Sequence, residues 1–388
     1  MSGDEDRLEA WAALALAAWT SSAPWLGLLS RFDGDARVVV RADDDALVLA
    51  GARTAAIQAL RSAREQAPGV VECVRRHGLN MTAIDSADYP ILLRHVPDPP
   101  LVLYWRGSPP AACDPAVAIV GSRRCSEYGL RTASRLAREL AAAGSVVVSG
   151  LARGIDASAH RGALAGGRTA AVMAGGLDRI YPSEHTELAM RIVESGGCLL
   201  SEQPPGRRPI ARMFPYRNRI ITGLARATIV VEAGHRSGSL ASARHALAQG
   251  RDVYAVPGPI DSPYSLGTNA LAQEGCYLLT EARDLSATSG VPVPLLADAP
   301  RPGKSVSDFG CLMDAGARSI VGLLQRGPRD LDGLVEVTAL DGGRVLALLT
   351  ALEMDGLVER GWSGNYSCTH LASSLRLPEA APRAPQHP

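Results

Sequence analysis

Between Ala116 and Leu279 seven short apolar runs recur, each closed by a turn and followed by a stretch of helical spacing, and this alternation limits the possible folds more than anything else in the chain. Val117–Val120, Val146–Ser149, Thr169–Ala174, Cys198–Ser201, Thr228–Glu232, Asp252–Val256 and Cys276–Leu279 read as strands, being short and rich in Val and Ile. Glu127–Ala143, Ala157–Ala165, Glu184–Ser195, Ile220–Ala225 and Ser239–Gln249 return apolar residues every three or four positions, as amphipathic helices do. Strand and helix in alternation build a parallel sheet, and strands with so few polar residues need helices on both faces. The expected fold class is α/β, a doubly wound and mostly parallel sheet across residues 88–285.

The flanks follow other patterns. Residues 1–87 are Ala-rich and helical in pattern from Leu8 to Glu72, with breaks at Gly51 and Pro68, so a small helical domain is expected. Tyr89–Gly107, with four prolines and the run Leu101-Val102-Leu103-Tyr104-Trp105, reads as an extended arm that could add an edge strand. Residues 286–305 carry Pro292, Pro294, Pro300 and Pro302 among few apolar residues, the composition of a flexible linker. In 306–370, Ala317–Leu324, Leu331–Val335 and Arg344–Met354 form three short helical patterns ahead of a hairpin around Gly361–Gly364, which describes a winged helix. The Pro-rich 371–388 reads as a disordered tail.

No apolar run is long enough for a membrane span; Ala10–Trp19 reaches about half of what one needs. Seven scattered cysteines, without a C-x-x-C pair or a His partner at ligand spacing, predict reduced thiols in a cytoplasmic protein and no metal site. No G-x-G-x-x-G and no P-loop lysine is present, so no cofactor is expected.

The 40 basic and 40 acidic side chains cancel only over the whole chain. Residues 1–100 hold 10 Arg against 14 acids, 117–285 hold 20 against 14, and 306–370 hold 5 against 9. The middle region alone is positive. Its densest part is Arg207–Arg226, with six arginines and no acid. Such a run repels itself unless an anion or internal carboxylates offset it. The interleaved Phe214 and Tyr216 add flat faces on which unpaired bases could stack, a combination suited to single-stranded nucleic acid.

Three strand-to-helix turns stand where open α/β sheets place ligands, and the first and third have the makings of anion sites. Gly121-Ser122-Arg123 closes the first strand, where a glycine at a helix start exposes backbone N–H groups and Arg123 adds a bidentate donor. The second is Ser149-Gly150-Leu151-Ala152-Arg153-Gly154-Ile155-Asp156. Asp156 and His160 share a helix face there, but no nucleophile or metal accompanies them, so capping is the expected role. Ser237-Gly238-Ser239 opens a further helix with hydroxyls and amides. The expectation is that Arg123, Arg217 and Arg219 converge from the rim of the sheet into one electropositive cleft.

In order along the chain, Ile119-Val120-Gly121-Ser122-Arg123, Ser149-Gly150 with Gly154-Ile155-Asp156, Gly176-Leu177-Asp178 with Tyr181-Pro182, Phe214-Pro215 with Arg217-Asn218-Arg219-Ile220-Ile221, Ser237-Gly238-Ser239-Leu240 and Gly267-Thr268-Asn269 resemble the bacterial DNA-processing protein DprA (Smf) family. The resemblance covers about Asp88 to Leu285. It implies an extended Rossmann-like fold, a first domain of the SAM or helix-hairpin-helix kind and a winged helix at the end. It further implies single-stranded DNA binding, homodimerisation through the Rossmann-like domain, and loading of the RecA recombinase in natural transformation, without a catalytic reaction. The DNA contacts it implies are Gly121, Ser122, Arg123, Gly150, Gly154, Phe214, Arg217, Asn218, Arg219, Ser237, Gly238 and Ser239.

Two other readings compete. A nucleotide hydrolase of the phosphoribohydrolase class, similar to the lysine decarboxylase-like family, would carry Pro-Gly-Gly-x-Gly-Thr followed by Glu; here Glu232 precedes the Ser237 turn. A transcription regulator using the winged helix is disfavoured by the acidic 306–370 region, whose third helix is mostly Ala and Leu. That region is expected to take a protein-contact or structural role instead.

Overall fold

Alternation of apolar residues along a strand sends neighbours to opposite faces, and here it separates two cores. The computed structural model describes residues 3–19, 21–110, 114–289, 291, 315–354, 357–360 and 365–369. The chain divides into two compact units, 1–295 and 296–388. The first opens with helices α1 (Gly3–Ala17), α2 (Ala23–Leu29), α3 (Ala36–Arg41), α4 (Asp44–Leu49) and α5 (Thr54–Arg76), then β1 (Asn80–Ala83), α6 (Ile91–Arg94) and β2 (Val102–Gly107). Alternation follows: β3 (Ala116–Val120), α7 (Glu127–Ala142), β4 (Val146–Ser149), α8 (Ile155–Leu164), β5 (Thr169–Met173), α9 (Thr186–Glu194) and β6 (Cys198–Ser201). It continues with α10 (Met213–Gly223), β7 (Ala227–Val230), α11 (Ser239–Ala248), β8 (Asp252–Ala255), α12 (Leu266–Gln273), β9 (Tyr277–Leu278) and α13 (Asp284–Ser289).

The nine strands form one sheet in the order β1-β2-β6-β5-β4-β3-β7-β8-β9. From β6 to β9 all pairs are parallel, whereas β2 joins β6 antiparallel and β1 joins β2 antiparallel. The arm before the sheet thus contributes β2, and β1, from the segment ahead of the arm, completes an antiparallel edge of two strands. From β3 the chain winds outward through β4, β5 and β6, then returns to β3's other side with β7. Strand order reverses between β3 and β7, and a crevice opens beyond their carboxyl ends, as it does wherever open α/β sheets change direction.

Residues Ala116, Ala118 and Val120 of β3 join one core, while Val117 and Ile119 join the other. The second core is closed by α7 and α8 through Leu136, Leu140, Ile155 and Ala159. The first is closed by α9, α10 and α11, and it runs without a break into Trp11, Leu14, Trp25 and Leu60 of the opening helices. Residues 1–87 therefore share a core with the sheet, and β1 within them is one of its strands.

Helix α10 begins at Met213, well before the expected Ile220. Residues 284–289, across the expected start of the linker, are helical. The rest of 286–305 apart from Val291, the tail 371–388, the Gly361–Gly364 turn, Cys113 and Cys311 lie outside the described residues.

In the second unit α14 (Ala315–Leu324), α15 (Leu331–Thr338) and α16 (Gly342–Met354) precede β10 (Val358–Arg360) and β11 (Tyr366–Cys368), which pair antiparallel. Arg329 adds an isolated antiparallel bridge to Tyr366. Ile320, Leu324, Leu334, Leu349 and Leu357 form its core, giving the helices-plus-wing arrangement of a winged helix.

Candidate nucleic-acid interface

Beyond the carboxyl ends of β3, β4 and β7, the connecting loops meet α10 and the start of α11 around a cleft of about 720 Å³. Nine of the expected contact residues line it. Gly121, Ser122 and Arg123 come from the first turn, Phe214, Arg217 and Asn218 from α10, and Ser237, Gly238 and Ser239 from the turn into α11. Gly150, Gly154 and Arg219 do not. Gly150 accepts from Arg217 Nη1 (2.8 Å) and donates its amide to Asp156 Oδ2 (3.1 Å). Gly154, at φ 75°, caps α8 in a conformation that favours glycine, and a side chain there would strike the Ser122 carbonyl. Both shape the cleft from behind.

The first turn works differently from the simple anion site expected of it. The positive end of α7 is already occupied: Ser126 donates its amide (2.8 Å) and hydroxyl (2.5 Å) to the buried Glu232 carboxylate. Ser126 Oγ in turn accepts from Gly129 N (3.1 Å). Ser122 is likewise engaged, its amide donating to the Glu232 carbonyl (2.8 Å) and its hydroxyl to the Arg124 carbonyl. An internal carboxylate thus satisfies the helix dipole, and attraction for an external anion falls to Arg123 and Arg124, both exposed. A Cβ on Gly129 would collide with the Glu232 carboxylate. Gly129→Ala is therefore expected to lower stability by about 1–3 kcal/mol, read from the urea midpoint of the larger unit, through overpacking and a lost cap. An unchanged midpoint would show that Glu232 is not needed at this helix end.

Helix α10 sorts the arginine-dense run by face. Phe214, Arg217, Asn218 and Ile221 recur at helical spacing and all face the cleft. Tyr216 and Arg219 point the other way. Arg219, 4% exposed, pairs with Glu202 (2.6 Å) and Asp98 (3.4 Å) and lies 3.9 Å from the Tyr216 ring centroid. Tyr216 donates its hydroxyl to Asp98 (2.8 Å). Burial works against the Arg219 charge, but Glu202 holds the guanidinium above its ordinary pKa. The expected convergence thus holds for Arg123 and Arg217, while Arg219 is neutralised by carboxylates on the far side of the helix. Tyr216 is not a stacking platform in the cleft. Tyr181 fills that place: 49% exposed, it lines the cleft with its ring 5.5 Å from Phe214. The Arg123 guanidinium lies 4.9 Å from the other partner, Phe214. Sequence composition pointed to the wrong tyrosine because Tyr181 is distant in the chain.

Arg217 is the buried cation of the cleft, 5% exposed. Its Nη1 donates to the Gly150 and Val172 carbonyls at the ends of β4 and β5. Burial lowers its pKa to about 10, with Asp156 favouring the charge and Arg123 opposing it, so it is cationic at neutral pH. Asp156 stands in the first turn of α8, and its Oδ2 reaches back to the Gly150 and Ala152 amides (3.1 and 3.4 Å). His160 is fully buried. Its Nδ1 lies 2.7 Å from Thr169 Oγ1 and its Nε2 accepts from Leu151 N (3.3 Å), and burial presses its pKa down to about 3. It is a neutral core residue. Among the residues lining the cleft, three guanidinium groups, Arg123, Arg124 and Arg217, face one carboxylate, Asp156.

Comparison with known proteins places this cleft in context. The family described as DNA recombination-mediator protein A matches residues 80–289, and the DprA winged helix domain matches 297–362. DNA processing protein DprA of Bacillus subtilis is 41% identical over 220 residues, covering 56% of this chain and 74% of that protein. Protein Smf of Escherichia coli is 44% identical over 217 residues, covering 56% and 58%. The X-ray structure of DprA from Streptococcus pneumoniae superposes with a TM-score of 0.62 at 35% identity, covering 71% of this chain and 95% of that one.

Proposed function

Because the chain belongs to the DNA recombination-mediator protein A (DprA/Smf) family, we propose that its cleft grips single-stranded DNA and that the protein loads the RecA recombinase onto that strand during natural transformation. One observation carries the reading: at the carboxyl rim of the sheet, Arg123 and Arg217 line the same cleft as the tilted ring pair of Phe214 and Tyr181, with Arg123 over the Phe214 ring. Cations meet phosphates without regard to sequence, and open aromatic faces accept any base that is not already paired. Duplex bases are stacked on one another and do not offer those faces.

A binding role without catalysis is the reading we favour. His160 is buried and neutral, and Asp156 spends one carboxylate oxygen on backbone amides. Glu232, which precedes the Ser237 turn where a phosphoribohydrolase would have its Glu after it, caps α7. The protein would act in the cytoplasm as a homodimer through the Rossmann-like unit, with the winged helix contacting protein. No helix among the described residues is long and apolar enough to cross a membrane.

The test is a titration of single and double strands against wild-type protein and Arg123→Ala. The wild type should prefer single strands. Arg123→Ala should weaken single-strand affinity about tenfold, with little sequence preference, and flatten the dependence of log K on log salt by about 0.7. Normal binding by the variant would remove the cleft from consideration. RecA loading is tested by whether the protein accelerates strand-dependent ATP hydrolysis by RecA on single strands precoated with a single-strand binding protein.

A further inference from the structure

The cationic wall does not stop at the cleft. Between β6 and α10 the chain runs through Pro204–Arg212, and this loop supplies Pro209 and Ala211 to the cleft wall just ahead of Phe214. Its backbone is pinned: Gly206 N donates to Asp178 Oδ1 (2.7 Å) and Gly176 N donates to the Arg207 carbonyl (2.9 Å). Its side chains Arg207, Arg208 and Arg212 are exposed. Among the described residues no carboxylate lies within ion-pair distance of these three, in contrast to Arg153 and Arg219.

Two of these guanidinium groups share one support. Arg207 lies 4.3 Å and Arg212 5.9 Å from the ring centroid of Trp19, which follows α1 in the opening helical segment. Two like charges gathered on one indole with no counter-charge repel each other, and a bound anion relieves that repulsion. A guanidinium stacked by its face keeps its in-plane N–H donors free, oriented for the two oxygens of a phosphate.

We propose that a single strand held in the cleft continues along the β6–α10 loop, its phosphates on Arg207 and Arg212, to Trp19, so that the opening helical segment is part of the DNA-binding surface. The proposal rests on the reading of the cleft as a single-strand site. It predicts a dependence on strand length: a short oligonucleotide fills the cleft alone, and a longer one also covers the track.

The experiment measures fluorescence anisotropy with oligonucleotides of about 6 and about 20 nucleotides. Trp19→Ala, and separately the double variant Arg207→Ala with Arg212→Ala, should weaken binding of the longer strand by about fivefold or more and leave the shorter unchanged. The double variant should also flatten the salt dependence for the longer strand by about 1.4, the value for two phosphate contacts. Trp19→Phe keeps a ring under the arginines and should bind the longer strand nearly as wild type does; a loss as large as that of Trp19→Ala would overturn the stacking role. Unchanged affinity for the longer strand in both alanine variants would overturn the track. An equal loss at both lengths would overturn it too, since the residues would then act on the cleft itself. Arg123→Ala, by contrast, should weaken both lengths. If it weakened neither, the cleft reading would fail on its own, separately from the length comparison.

Discussion

Arg217→Ala is expected to abolish tight single-strand binding, with affinity about 100-fold lower, and to destabilise the larger unit by about 3–5 kcal/mol. One side chain carries both effects because of where it lies. Its guanidinium is buried at the back of the cleft, tied to the carbonyls of Gly150 and Val172, and its charge favours the ionised form of Asp156. Removing it leaves two strand-end carbonyls without their donor and a buried carboxylate without the charge that most favours its ionised form. Against a domain stability of about 5–15 kcal/mol, such a loss is a large fraction. Arg217→Lys should restore little, since a single ammonium cannot match the planar fork that spans both carbonyls.

The pH dependence of this variant has a definite sign. Burial already raises the Asp156 pKa above its ordinary value, and Arg217 is the main group opposing that rise. Without Arg217 the folded-state value climbs further above the unfolded value of about 3.9. A group whose folded pKa is raised gives its full stabilisation below the unfolded pKa and loses it as pH rises through the folded one. The deficit of Arg217→Ala relative to wild type should therefore be largest near neutral pH and shrink as pH approaches about 4. Urea unfolding at both pH values checks this; equal deficits would mean that Asp156 is not the group left stranded.

Much of the scaffold is written in local pattern. Val146–Ser149 and Cys198–Ser201 agree with the strands end to end, because a buried parallel strand is a short apolar run bounded by turns and little else competes for that reading. The site is less legible, and the reason is range. By composition, Arg207–Arg226 is simply a dense block of charge. Position divides it: 214, 217, 218 and 221 share a face of α10, while 216 and 219 lie opposite. That spacing is visible once the segment is taken as a helix, yet Pro215 and the crowding of arginines argue locally against one. What no local pattern contains is the identity of the partners. Asp98 and Glu202 for Arg219, Tyr181 for Phe214, Glu232 for α7 and Trp19 for Arg207 are all brought in by the tertiary fold.

The opposite face of α10 yields the second large effect, and it separates structure from binding. Arg219→Ala removes the cation from between Glu202 and Asp98 and leaves Tyr216 to tie α10 to Asp98, which accepts from the Ser22 amide and hydroxyl (2.8 and 2.7 Å) in the opening helical segment. Burial raises the Glu202 pKa and Arg219 opposes that rise, so the variant strands a carboxylate and should lose about 3–5 kcal/mol at neutral pH. By the same linkage sign as for Asp156, the loss should lessen as pH falls through the raised folded value toward about 4.3. Adding Glu202→Gln to Arg219→Ala should recover stability, because the neutral amide no longer needs a counter-charge. The folded fraction of Arg219→Ala, assayed at low temperature, should still bind single strands within about threefold of wild type, since the side chain never reaches the cleft. A binding loss matching that of Arg217→Ala, with the larger unit demonstrably folded, would put Arg219 back among the DNA contacts and undo the division of α10 into a binding face and a structural one.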